Sequence, residues 1–183
     1  MRKKFEICKC VPAGDIVDLL DHGGGSNMDF FFGKQDLRTL DRAQEHGVLL
    51  TNGLGGYASV TTAFSVNRCD QGLLVAAVQA PNVRINMVHR LRETLEIGGK
   101  KVLLSTQSFA DGTAPEEGYR NLSCFSYSYL PQWVYETAGV RVVRRCAAAR
   151  EENTVAVLYT VENHTDVTCT LRVDPFLKFA PKE

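Results

Sequence analysis

From residue 48 onward, apolar and polar positions alternate with the period of a β-strand along most of the chain. TVAVLYTVE (154–162) places Val155, Val157, Tyr159 and Val161 on one face. VTCTLRV (167–173) does the same with Val167, Cys169, Leu171 and Val173. The polar stretch Asn163–Asp166 between them predicts a hairpin loop. QWVYET (132–137) and VRVVRRC (140–146) flank Ala138-Gly139, a tight turn. INMVHRLRETLEI (85–97) and VLLSTQSF (102–109) flank a second hairpin loop at Gly98–Lys101. LSCFSYSYL (122–130) sets Leu122, Cys124 and Ser126 against Phe125, Tyr127 and Tyr129. GLLVAAVQ (72–79) is an unbroken apolar run, which suits a strand covered on both faces. Short strands with frequent turn signals predict an all-β fold, an antiparallel β-sandwich.

Residues 29–47 break this pattern. Phe30-Phe31-Phe32 leads into KQDLRTLDRAQEHG, where Leu37, Leu40 and Ala43 recur at helical spacing. One short amphipathic helix is predicted near residues 36–46, with Gly47 as its C-cap. Residues 1–27 differ again. They start basic, but Glu6, Lys9, Asp15 and Asp18 interrupt any apolar export core. Gly23-Gly24-Gly25 stands just before Met28 and reads either as a flexible linker or as GG-rich codons lying where a ribosome-binding site would be. Residues 1–27 are therefore expected to be an extension, with Met28 the natural start and residues 28–183 the domain.

Composition narrows the functional classes. The 183 residues are 44% hydrophobic and 23% charged, enough for one domain with a core. Lysine plus arginine equals aspartate plus glutamate at 21 each, so neither nucleic acid nor a membrane is expected as partner. Without an export signal, the six cysteines are expected to be reduced thiols in a cytoplasmic protein. Cys8 and Cys10 are the one close pair, and neither C-x-x-C nor H-x-x-x-H occurs. No metal and no cofactor is expected. The histidines His22, His46, His89 and His164 are scattered, and no G-x-S-x-G nucleophile motif is present.

The stretch LLTNGLGGYA (49–58) concentrates the candidate chemistry. Gly53, Gly55 and Ala58 satisfy G-x-G-x-x-[G/A], the spacing of a dinucleotide-binding turn. That turn needs a helix after it, so that the pyrophosphate meets a helix N-terminus. The sequel SVTTAFSVN is rich in β-branched residues and serine, which disfavour helix. The acidic residue expected about 20 positions on is also missing, since Asp70 precedes the next strand. No Gly-Lys-[Ser/Thr] follows, so a phosphate-binding P-loop fails too. What remains is a glycine-rich turn at a strand end, which Asn52 can hold through its side chain. Tyr57 either packs on the core or offers its ring face and hydroxyl to a sugar.

Several blocks together carry a family resemblance. FGKQDLRTLDRAQEHGVLLTNGLGGYAS, NRCDQGLLVAAVQAP and HRLRETLEI come first, and PQWVYETAGVRVVRR, ENTVAVLYTVEN and LRVDPFLKF follow in order. Residues 28–183 resemble the N-terminal domain of bacterial and archaeal glycogen debranching enzymes, amylo-α-1,6-glucosidases. The resemblance implies a supersandwich of the galactose-mutarotase-like type, ahead of an (α/α) toroid that carries the catalytic carboxylates. It implies glycogen catabolism, with an α-glucan such as glycogen or a maltooligosaccharide as substrate of the whole enzyme. Many members carry Arg-x-Tyr-His-Gly-Leu-Leu where this chain has Arg68-Cys69-Asp70-Gln71-Gly72-Leu73-Leu74. An imidazole is therefore lost at that place, while Asp70 or Gln71 can still hydrogen-bond. The chain ends at Glu183, earlier than such a domain usually does, which is expected to reflect truncation before the toroid.

Hydrolysis of a glycosidic bond needs two positioned carboxyl groups. Glu93 and Glu96 are an odd number apart on a strand and face opposite ways. Glu116 and Glu117 are adjacent and likewise diverge. No catalytic residue is assigned, and the chain alone is expected to be inactive. Substrate-binding residues are expected to be Asn52, Gly55, Gly56, Tyr57, Arg68, Asp70 and Gln71, with an Arg68–Asp70 surface ion pair as the plain structural alternative. Two other readings stay open. One is a stand-alone carbohydrate-binding sandwich, with Trp133 and Tyr135 as its same-face aromatics. The other is a structural module that packs between domains.

Overall fold

The computed structural model describes residues 30–79 and 83–182, and the proposed 1–27 extension, Met28, Cys8 and Cys10 lie outside them. In chain order the elements are β1 (Phe30–Gly33), α1 (Leu40–Glu45), β2 (Gly47–Thr51), β3 (Tyr57–Thr61) and β4 (Gly72–Gln79). β5 (Val83–Ile97), β6 (Lys100–Leu103), β7 (Thr106–Gln107) and β8 (Glu116–Glu117) follow. After a 3-10 turn at Gly118–Asn121 come β9 (Leu122–Tyr127), β10 (Pro131–Thr137), β11 (Val140–Ala148), β12 (Val155–Asn163) and β13 (Cys169–Lys182). The described fold is all-β, with one short helix.

Two antiparallel sheets supply the layers. One runs β1-β9-β10-β11-β12, the other β13-β5-β4-β3-β2, and β6 joins β5 beside β4. Cross-strand register builds a continuous row through the first sheet: Phe32 opposite Phe125, Phe125 opposite Trp133, Trp133 opposite Arg144, Arg144 opposite Tyr159. Directly opposed side chains share a face, so one row of mostly aromatic groups crosses all five strands. Trp133 is fully buried, and its Nε1 donates to the Thr62 carbonyl at 3.0 Å in the turn after β3. Val48, Val60, Leu73, Leu95 and Ile97 of the second sheet belong to the same core.

Most predicted strands occur, and β4 has the predicted bounds. Ala138 and Gly139 turn with φ of 49° and 76°, as the two-residue hairpin requires. Four departures are informative. The helix starts only at Leu40, where the Thr39 hydroxyl accepts from the Arg42 N–H. Gly47 does not cap it. His46 leaves the helix extended, and Gly47 opens β2, because the chain enters the sheet with no intervening loop. β9 carries a bulge opposite Val134/Tyr135, so Leu122 and Phe125, three apart, are both buried. The predicted 102–109 strand splits: Leu104 N–H bonds back to Glu93 O, and the next residues leave to pair with β8.

The fourth departure concerns β12 and β13. Asn163 makes the expected turn, accepting from the Thr165 N–H and donating to the Val167 carbonyl. The strands it joins do not pair with each other. β12 pairs with β11 in one sheet and β13 with β5 in the other. The segment is a crossover between layers, and alternation cannot distinguish that from a hairpin.

Candidate functional site

β2 and β3 pair with Thr51 opposite Tyr57, so residues 52–56 are the turn between two strands. A strand follows the glycines, and a dinucleotide site is thereby excluded. Asn52 is the centre of this turn and is only 3% exposed. Its Oδ1 accepts from the N–H groups of Leu54 and Gly56, both at 2.9 Å. Its Nδ2 donates to the Glu152 carbonyl at 2.9 Å and to Asn153 Oδ1 at 3.2 Å. Asn153 in turn exchanges two hydrogen bonds with the Ala77 backbone of β4. Asn52 thus locks the β2–β3 turn to the β11–β12 loop, and Asn153 ties that loop to β4. Gly56 is required by this closeness, because a Cβ there would lie 2.6 Å from Asn52 Nδ2. Gly53 and Gly55 are required by conformation, with φ of 80° and 93°.

A second loop, residues 67–71, meets the first through Tyr57. The Tyr57 hydroxyl donates to the Asp70 carbonyl at 2.7 Å. Burial, then the Asp70 charge, raises the pKa of that phenol. Gln71 is buried, and its Oε1 accepts from the N–H groups of Asn67 and Arg68. Its carbonyl accepts from Asn86 Nδ2 and from Lys182 Nζ at 3.2 Å. Lys182 also donates to the Cys69 carbonyl. Arg84 donates from Nε to the Gly55 carbonyl at 2.6 Å, and its guanidinium lies 5.9 Å from the Tyr57 ring centre. Burial lowers the His89 pKa, and the charges of Lys178, Lys182 and Arg90 lower it further.

The seven expected residues therefore divide. Asn52, Gly56 and Gln71 are buried and build the two loops. Gly55 offers its carbonyl to Arg84, while Arg68 and Asp70 are exposed and Tyr57 is half-buried beside them. Arg68 and Asp70 form no ion pair among the described residues. Asn153, Arg84 and Lys182 were missed by sequence reasoning. Lys182 lies 111 positions from Gln71, and no local pattern announces the contact.

Sequence reasoning also passed over a charged cluster in the core. Glu93 and Arg144 are each 1% exposed, and their side chains meet at 2.6 Å. Tyr159 donates to the same Glu93 oxygen at 2.7 Å, and Arg144 donates to the Tyr135 hydroxyl at 2.6 Å. The Arg144 guanidinium carbon sits 3.6 Å from the Phe64 ring centre. Burial pushes the Tyr135 phenol up to about 12. A signal was present: Val140, Val142, Arg144 and Cys146 share a strand face, as do Leu91, Glu93, Leu95 and Ile97.

Glu116 is the other buried carboxylate, held by Arg90 at 2.8 Å, Arg92 at 3.2 Å and the Ser105 hydroxyl at 3.0 Å. Glu96 and Glu117, the sequence neighbours, instead pair with Lys101 and Arg120. Both buried carboxylates are thus committed to arginines. Among the described residues, no group of His, Cys, Asp and Glu is placed to hold a metal ion. Cys69, Cys124, Cys146 and Cys169 are free thiols.

No curated protein and no solved structure matches the chain. The family described as "Glycogen debranching enzyme N terminal" matches residues 46–183, which include the Asn52 turn, the 67–71 loop and both buried carboxylates. That match covers most of the chain, and the protein belongs to the glycogen debranching enzyme N-terminal family.

Proposed function

We propose that this domain is the non-catalytic N-terminal part of an enzyme hydrolysing α-1,6 branch linkages of glycogen-like glucans. It supports a separate catalytic toroid and lends the joined 52–57 and 67–71 loops to the glucan site. The observation that carries this reading is the Asn52 network. It commits the buried Asn52 side chain to holding a surface turn in one shape. A preorganised loop loses little entropy on binding. Tyr57, Arg68 and Asp70 then offer an aromatic face, a donor fork and an acceptor to sugar hydroxyls. Asn52, Gly55, Gly56 and Gln71 act by shaping those loops. The free thiols support a cytoplasmic setting within the same proposal.

The stand-alone carbohydrate module has less support. Its required aromatics, Trp133 and Tyr135, are 0% and 1% exposed and belong to the core. The test is calorimetric titration of maltoheptaose into the chain, alone and with a toroid supplied. Binding is expected only in the combined sample, and Arg68→Ala with Asp70→Ala should weaken it about tenfold, or 1.4 kcal/mol. Saturable binding to the chain alone would favour the module. Unchanged affinity in the double variant would leave interdomain packing as the role of the loops.

A further inference from the structure

β5 and β13 place Arg84 and Lys182 directly opposite each other. Like charges at such positions destabilise a strand pair. The fold keeps both, and neither pairs with a described carboxylate. Arg84 rests on the Gly55 carbonyl, and Lys182 rests on the carbonyls of Cys69 and Gln71. A carbonyl orients a cation without cancelling its charge. Elsewhere Arg90, Arg92, Lys101, Arg141, Arg144 and Arg172 each lie within 4.0 Å of a carboxylate. Lys34 and Arg145 rest on neutral oxygens, but Arg145 stands opposite Gln132 in the β10–β11 pair rather than opposite a second cation.

Two more cations lie on the segments that meet here. Arg68 is exposed on the loop whose carbonyls hold Lys182. Lys178 is exposed on β13, the strand that carries Lys182, and its charge adds to burial in lowering the pKa of His89 and Lys182. Asp70 is the carboxylate whose charge reaches Tyr57 and Lys182. Arg84 and Lys182 are thus held side by side next to the Asp70 loop, with Arg68 carried on that loop and Lys178 on the same strand as Lys182.

We infer that this corner, formed by Arg68, Arg84, Lys178 and Lys182, binds the phosphate monoester of a phosphorylated sugar. A single carboxylate would leave most of the excess charge in place, whereas a phosphate monoester brings about −1.5 to −2 at pH 7. Its oxygens accept from a guanidinium fork and from ammonium groups together. The inference deepens the glucan reading, with which it shares Arg68, and rests on it for the sugar part alone. Free inorganic phosphate offers the same chemistry, so the two sources are separated by experiment.

The test titrates the full chain with inorganic phosphate, glucose 6-phosphate and unphosphorylated glucose at low salt. Glucose 6-phosphate should bind most tightly and raise the unfolding temperature, and glucose alone should do neither. Lys182→Gln and, separately, Lys178→Gln should weaken phosphate-ester binding about tenfold each. Lys100→Gln, in a β6 position away from this corner, should leave it unchanged. Each variant is checked for native circular dichroism, and having two keeps the test independent of one failed fold. Equal affinity for phosphate and its sugar ester would confine the site to free phosphate and overturn the sugar part. Absence of saturable binding below about 10 mM, or equal losses in all three variants, would overturn the site itself. Maltoheptaose binding to the toroid-complemented chain without phosphate-ester binding would also overturn it, while leaving the glucan reading intact. Phosphate-ester binding without any glucan binding would remove the glucan reading instead.

Discussion

Arg144 and Lys182 are both cations on sheet strands, yet Arg144 meets a carboxylate in the core while Lys182, among the described residues, meets only carbonyls of the 67–71 loop at a sheet end. The difference follows from the solvent each can reach. An unpaired charge in the core carries a desolvation penalty of several kcal/mol, so Arg144 needs Glu93. At the rim, water and salt screen the charge, and the fold tolerates a cation that no described carboxylate neutralises. Charge that is cancelled serves the fold, and charge that is oriented but left uncancelled is available to a ligand. The core pair also spans the two layers, since Glu93 is on β5 and Arg144 on β11.

The contrast breaks most sharply at Glu93. Glu93→Ala leaves Arg144 buried and unpaired, and urea unfolding should show a loss of about 3–5 kcal/mol. Replacing both partners, Glu93→Leu with Arg144→Met, should restore most of that. A loss below about 1 kcal/mol in the single variant would mean that water reaches the pair, and core and rim would then not differ in kind.

Alkaline titration probes the same cluster without mutation. Burial pushes Tyr135 up to about 12 from 10.0, and Cys146 up to about 12 from 9.0. Across that window the unfolded chain releases protons that the folded chain retains. Stability is therefore unaffected by these groups below about pH 9 and falls as pH rises from about 9 to about 12. The slope is about 1.4 kcal/mol per pH unit for each group titrating in the unfolded chain. Urea midpoints measured from pH 8 to 11 check it. A flat profile would show that the core admits water.

The smallest effect sharpens the rim. Asn52→Ala removes the acceptor for the Leu54 and Gly56 N–H groups. A loss of about 1–3 kcal/mol is expected, with faster hydrogen exchange at those two amides. Exchange that stays slow would mean that the glycine turn holds its shape without its central side chain.

Parts of this arrangement were legible in the residues. β4 runs over the same positions as its apolar sequence block, and Ala138-Gly139 turns as its residue types require. Asn52 could be recognised as the holder of the turn, because its Leu54 and Gly56 contacts lie within four residues. Glu93 and Arg144 were legible in principle, as charges on apolar strand faces. Their pairing was not, since 51 positions separate them. Asn153 reaches Ala77 over 76 positions and Lys182 reaches Cys69 over 113, with no sequence signal for either. The 163–166 turn was recognisable, but the sheets that its flanking strands join were not.

By itself the sequence determined most of the strands, the tight turns and the glycine-rich shape of the 52–56 segment. Those follow from side-chain alternation, allowed φ and hydrogen bonds within a few residues, which act on any chain carrying the pattern. The tertiary structure alone decided that β12 and β13 lie in different layers, that Glu93 meets Arg144, and that Lys182 and Arg84 face each other beside the Tyr57 loop. The cost of closing a loop grows only logarithmically with its length, so distance along the chain says little about which residues meet. Packing of the two sheets chooses among those closures, and it brings a charge held by a carboxylate to the core and one held by carbonyls to the rim.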